Sequence, residues 1–241
     1  MAIKITQFPK FKFSKPTIIL GLPGTGLVGS IAASYLVDSL GLEFCGYITS
    51  PDFAPLASIH DFKPYPPARM HYSKKYNLLV ILSEMSIPIA SSQDLSDQVY
   101  SYAKSLGAEH IISLGGISLK EKPSTLYVIS SRSEIAQEFL KNKAFNPIKE
   151  GATTGVSGLL LTQGVIDNYP VTLILAESSE DYLDPGAASL VLVELSKYLK
   201  IPVDTQKLDK EAKDVAKQMR EAVIKSKLPY KRSKELGSMY G

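Results

Sequence analysis

Hydrophobic and polar residues along this chain follow two alternating rhythms. Short apolar runs bounded by turn residues predict strands at Thr17–Leu20, Glu43–Thr49, Leu78–Ser83, His110–Leu114, Thr125–Ser130 and Val171–Glu177. Between them, apolar positions three and four apart predict helices at Gly26–Leu40, from Ser91 or Gln93 to Leu106, and at Ser133–Leu140, Thr154–Asn168 and Pro185–Leu199. Gly41 and Gly107 follow two of these helices as C-caps, and Gly115-Gly116 closes the fourth strand. In the first helix Leu27, Ile31, Tyr35 and Leu36 fall near one face. Strands alternating with helices predict an α/β fold, a mixed and largely parallel sheet covered by helices on both faces.

The segment from Ser50 to Tyr72 breaks the rhythm with Pro51, Pro55, Pro64, Pro66 and Pro67. It reads as an extended loop holding short edge strands at Ala57–His60 and Ala68–Tyr72. Beyond Ile201-Pro202 the texture changes again. Leu208, Ala212, Val215, Met219 and Ala222 recur at steps of four, three, four and three within a charged stretch, one apolar stripe on a solvated helix. Leu228-Pro229 ends that helix, and a short polar tail follows. The expected organisation is a body over residues 1–204, a charged amphipathic helix over 205–228 and a mobile tail over 229–241.

Composition narrows the functional classes. With 44% hydrophobic and 21% charged residues in 241, a globular core is affordable, and no apolar run approaches a membrane span. The start of the chain lacks the apolar core of a signal peptide, so a cytoplasmic protein without membrane contact is expected. The net charge of +3 is too small to imply nucleic-acid binding. Residues 205–241 nevertheless hold ten Lys/Arg against five Asp/Glu, which leaves the body slightly acidic. The single cysteine, Cys45, lies in an apolar run and reads as an inert core thiol. Three histidines (His60, His71 and His110) and no paired cysteines make no metal site.

Candidate chemistry centres on GLPGTGLVGS, Gly21 to Ser30, where Gly24, Gly26 and Gly29 match the spacing G-x-G-x-x-G between a strand and a helix. A dinucleotide site also needs an acid at the end of the second strand, and Asp52 stands near that place. No G-K-[ST] follows, and Leu27 and Val28 occupy positions where a phosphate-binding cation would help. The preferred reading is a sharp strand-to-helix turn with close packing, and no cofactor is expected. Gly151-Ala152-Thr153-Thr154-Gly155 is a second glycine loop, able to hold an anion or only to enter a helix. Gly155-Val156-Ser157-Gly158-Leu159 misses the nucleophile elbow in its last residue. Glu84, Asp94 and Glu177 fall near strand ends with no partner evident in the sequence, so no catalytic residue is assigned. The chain closes on Met239-Tyr240-Gly241: a hydrophobic residue, a tyrosine and a residue expected to carry the free carboxylate. That carboxylate suits a lysine, while the phenol adds area and a hydrogen bond.

The segment GLPGTGLVGSIAASYLVDSLG, the later LGGI at Leu114–Ile117 and GATTGVSGLLL at Gly151–Leu161 together resemble the archaeal proteasome-assembly-chaperone homologues. The resemblance spans about residues 14–200. It implies a nucleoside-phosphorylase-like sheet between helices, no enzymatic activity, and a homo-oligomer, tetrameric or pentameric. It also implies docking on 20S proteasome α-subunits, without ATP, through a tail that here is Met239, Tyr240 and Gly241. The glycine loop carries over as a mark of the fold only. The alternative is a phosphorylase-like enzyme or small-molecule sensor that binds an anion at the glycine loops.

Overall fold

A computed structural model describes residues 3–119, 121, 125–178, 183–206, 208, 210 and 221. The expected C-terminal helix and the tail therefore lie almost wholly outside the described residues.

The described strands are β1 (Lys4–Gln7), β2 (Thr17–Gly21), β3 (Glu43–Thr49), β4 (Ser58–His60), β5 (Lys63–Tyr65), β6 (Ala68–Ser73), β7 (Leu78–Ser83), β8 (His110–Ile117), β9 (Leu126–Ser130), β10 (Phe145–Pro147) and β11 (Val171–Glu177). The helices are α1 (Val28–Leu40), α2 (Ser92–Ser105), α3 (Ser133–Leu140), α4 (Gly155–Asp167) and α5 (Pro185–Leu199). Nine strands form one sheet in the order β1-β3-β6-β7-β2-β8-β11-β9-β10. The four central strands, β7, β2, β8 and β11, run parallel. Antiparallel pairs flank them: β1 with β3, β3 with β6, and β6 with β7 on one side, and β11 with β9 on the other.

The alternation of side chains on the central strands sorts the core into two layers. Ile19, Val80, Leu82, Ile112, Leu114 and Ile174 face α1, α3 and α5. Ile18, Leu20, Ile81, Ile111, Leu173 and Leu175 face α2 and α4. Both faces are thus covered, as the alternating pattern predicts. Helix α1 departs from the expected single apolar face: all ten residues from Val28 to Val37 are buried. It lies between the sheet and α5, and Tyr35 donates a hydrogen bond to the Asp204 carbonyl at 2.7 Å. Sequence punctuation sets the helix ends. Gly41 closes α1 in the left-handed region, and Asp184 caps α5 by accepting from the Ala187 amide at 2.9 Å, with Pro185 in the first turn.

Four details differ from the sequence-based expectation. Strands β1, β5 and β10 were not anticipated. Strand β8 runs on through Gly115-Gly116 to Ile117. Strand β6 is interior, paired on both sides, although the proline-rich segment that holds it suggested an edge. Strand β4 pairs only with β5, and the two form a hairpin separate from the main sheet. The hairpin lies against the β3–β6 flank, where the Tyr65 ring meets the edge of Phe44 at 5.4 Å. Among the described residues no helix is long and apolar enough to cross a membrane.

Candidate functional site

Because β7, β2, β8 and β11 are parallel, their C-terminal ends share one edge, where open α/β sheets usually bind ligands. The glycine loop after β2 lies there. Thr25–Leu27 forms a single 3-10 turn in which Gly26 and Leu27 both adopt left-handed backbone, with φ of 61° and 51°. The chain leaves β2 toward β7 and leaves β8 toward β9, so the crevice between β2 and β8 is the topological switch point.

Backbone fills that crevice. A β-carbon on Gly29 would stand 2.2 Å from the Leu114 carbonyl oxygen, and one on Gly116 would stand 2.3 Å from that of Thr25. A β-carbon on Gly26 would strike Ser178 Oγ at 2.0 Å, and one on Gly21 would strike the Ala33 β-carbon at 2.3 Å. Close packing requires glycine at all four places, and at Gly26 the left-handed backbone favours it as well. Gly24, the first glycine of the fingerprint, has extended backbone and open space around it. Asp52 is exposed beyond β3, and β6 and β7 intervene between β3 and β2. It is therefore not on the strand beside the glycine loop, where a ribose-binding acid belongs.

The second loop, Gly151–Gly155, reaches the N-terminus of α4 at the same edge. Gly155 is left-handed there (φ 71°), and a β-carbon on Gly158 would meet the Thr153 carbonyl at 2.5 Å. Ser157, the near-miss nucleophile, shares a 2.8 Å hydrogen bond with Ser113 of β8. Among the described residues no hydrogen bond joins either serine to a histidine.

The three strand-end carboxylates do different work. Asp94 is exposed in the first turn of α2, where a negative charge favours the helix dipole. Glu177 has partners after all. Its Oε1 accepts from the backbone amides of Leu119 and Glu121 at 3.0 and 3.3 Å, and its Oε2 accepts from the Tyr127 hydroxyl at 3.3 Å. It anchors the segment that follows β8.

Glu84 is buried and also fully engaged. Arg69 Nη2 donates to its Oε1 at 2.6 Å, and His60 Nε2 lies 2.8 and 3.0 Å from its two oxygens. The carboxylate only accepts, so His60 carries its proton on Nε2. Arg69 Nε donates to His71 Nε2 at 3.1 Å, which leaves the His71 Nδ1 proton facing the Leu42 carbonyl at 3.3 Å. Burial works to raise the Glu84 carboxyl, but hydrogen bonds from His60 and Arg69 outweigh it and hold the group at about 2. Burial, reinforced by the Arg69 charge, holds His71 down at about 4. The cluster fastens the hairpin, through His60, to the end of β7. Sequence reasoning missed Arg69 altogether. Its one visible trace was the Arg69-Met70-His71 alternation, which places the two polar side chains on one face of a strand.

Cys45 is buried, and burial pushes its thiol up to about 12, as an inert core residue requires. Among the described residues no group of three or more His, Cys, Asp or Glu side chains could hold a metal ion. A cavity of about 290 Å³ opens between α3 and α5, with Phe139, Phe145 and Tyr198 at its base and Glu138, Lys197 and Lys200 around its mouth. Met239, Tyr240 and Gly241 lie outside the described residues.

The fold and the packed glycine edge define a mixed α/β body with no assembled catalytic group among the residues predicted from sequence. The chain belongs to the PAC2 family, whose pattern matches residues 18–223. An uncharacterized protein of Methanocaldococcus jannaschii is 28% identical over 91% of this chain and 90% of its own length. The crystal structure of Pyrococcus furiosus PbaA, described as an archaeal homolog of proteasome-assembly chaperone, is 28% identical. It superposes with a TM-score of 0.81 over 91% of this chain and 95% of that one. Pyrococcus furiosus PbaB, described as an archaeal proteasome activator, shares the fold at 22% identity, with a TM-score of 0.76 over 91% and 98% of the two chains.

Proposed function

We propose that this protein is a binding protein of the proteasome system, an ATP-independent assembly chaperone or activator rather than an enzyme. On this reading it works in the cytoplasm as a homo-oligomer and docks on the α-ring of the 20S particle through Met239, Tyr240 and Gly241. The observation that carries the reading is the combination of a PAC2 body, similar throughout to PbaA, with a hydrophobic-tyrosine-glycine sequence at positions 239–241. The engaged carboxylates and packed glycine loop support it further, since each has a structural task. In a chain ending at Gly241, the carboxylate pairs with a lysine of the α-ring and Tyr240 supplies the anchoring area. One such tail binds weakly. Several on one oligomer gain avidity from their shared geometry.

The test is capture of purified 20S particles by the chain with and without its last three residues. Capture by the full chain and its loss on truncation are expected. Equal capture by both chains, or by neither, overturns the docking assignment.

A further inference from the structure

The β4–β5 hairpin ends in a two-residue turn, Asp61-Phe62, with φ of 47° and 62°. Two left-handed residues in succession make the turn type that prefers Asn-Gly or Asp-Gly. A phenylalanine in the glycine position is strained, and the residue is 96% exposed, the highest value for any large hydrophobic among the described residues. Neither local conformation nor burial in this body accounts for Phe62. It is flanked by an acid, Asp61, and a base, Lys63.

The α3–α5 cavity has the complementary character. Its base is aromatic, with the Phe139 ring stacked on Tyr198 at 4.1 Å. At about 290 Å³ it has room for one aromatic side chain and lies at the small end of ligand pockets. Buried Glu194 is neutralised by Lys197 at 2.6 Å and hydrogen-bonded by Asn142, so the base presents no free charge there. Glu138 and Lys200 at the mouth are exposed and of opposite sign. The hairpin lies over the β3–β6 flank, whereas the cavity abuts β10 at the far edge of the sheet.

We propose that Phe62 of one copy seats in the α3–α5 cavity of a second copy, with Lys63 against Glu138 and Asp61 against Lys200. The contact is head-to-tail because knob and socket are different surfaces. Repeated, it closes a ring or extends a filament according to the rotation between copies. The inference rests on the homo-oligomer of the proposed function and gives that assembly a surface. It does not involve the tail.

Sedimentation velocity of the full chain over a concentration series tests it. Phe62→Gly installs the Asp-Gly turn that the hairpin backbone favours, so the knob is lost while the fold is kept, as a thermal melt checks. The dissociation constant should rise roughly thirtyfold. Lys63→Glu and Glu138→Lys should each weaken association roughly threefold, and the double variant should restore it. A Phe62→Gly protein that associates like the wild type overturns the contact, as does a double swap without recovery. A wild-type chain that stays monomeric throughout overturns the assembly itself. Removal of the last three residues should leave sedimentation unchanged, so failure of tail docking is read separately, in 20S capture.

Discussion

The α-carbon of Gly29 faces the carbonyl oxygen of Leu114 so closely that any β-carbon there would stand 2.2 Å from it. The oxygen belongs to the β8 backbone and cannot swing away. Gly29→Ala should therefore cost about 2–3 kcal/mol, lowering the urea midpoint. Gly24→Ala meets open space and extended backbone, so it should change stability by no more than about 0.5 kcal/mol. Equal effects at the two glycines would contradict the packing account of the loop.

The same geometry bears on nucleotides. With backbone filling the crevice between β2 and β8, and Asp52 displaced by two intervening strands, calorimetric titration with NAD, ATP and AMP should give no binding heat. A dissociation constant below about 100 µM for any of them would revive the ligand-binding alternative.

Acid should destabilise the protein in two stages. Burial lowers His71, with repulsion from Arg69 added, and burial alone lowers His110, each to about 4 from an ordinary value of 6.5. As pH falls below 6.5 the unfolded chain protonates both rings while the folded chain resists until about 4. The unfolded state then binds more protons, so stability falls with pH at up to about 1.4 kcal/mol per unit for each histidine. Glu84 adds the second stage, because its folded value of about 2 lies below the ordinary 4.5. Its contribution is complete above 4.5 and is lost as pH falls toward 2. Urea midpoints measured from pH 7.5 to 4.5 should decline, and His110→Gln should roughly halve the slope. A flat wild-type profile would show that neither ring is held neutral.

The fold and the candidate site were legible in the sequence to different degrees for physical reasons. The run Leu78–Ser83 announced a central strand because it is apolar on both faces, and Pro185 announced a helix start. Strand β10 was hidden by its three-residue length and by Pro147. Strand β6 reads as an edge because prolines crowd the segment before it, whereas it pairs on both sides and its Arg69 and His71 are covered by the hairpin and Glu84. Glu84 finds its partners 15 and 24 residues earlier in the chain, across antiparallel pairing and a separate hairpin. No local spacing encodes that meeting. The cavity likewise draws Phe139, Phe145 and Tyr198 from three elements. The glycine loop was readable as a turn, but only the fold shows which carbonyl each glycine accommodates.

Tyr240→Ala tests the proposed docking segment more finely than truncation, since it leaves the backbone and Gly241 in place. A tyrosine anchor is worth about 2 kcal/mol, so affinity per tail should fall about thirtyfold, and multivalency should amplify the loss. The readout is 20S peptidase activity alongside capture, with thermal melts as the control for folding. Undiminished stimulation by the variant would remove Tyr240 from the interface.

Both outer strands of the nine-stranded sheet are stubs. Strand β1 has four residues and begins at Lys4, and β10 has three and ends in Pro147, which has no amide proton to donate. Short edges bearing charge or proline offer a poor template for another chain to add as a further strand. The body is thereby protected against edge-to-edge aggregation, even when many copies are held close together. Any partner that approaches these edges meets side chains before it meets an open backbone ladder.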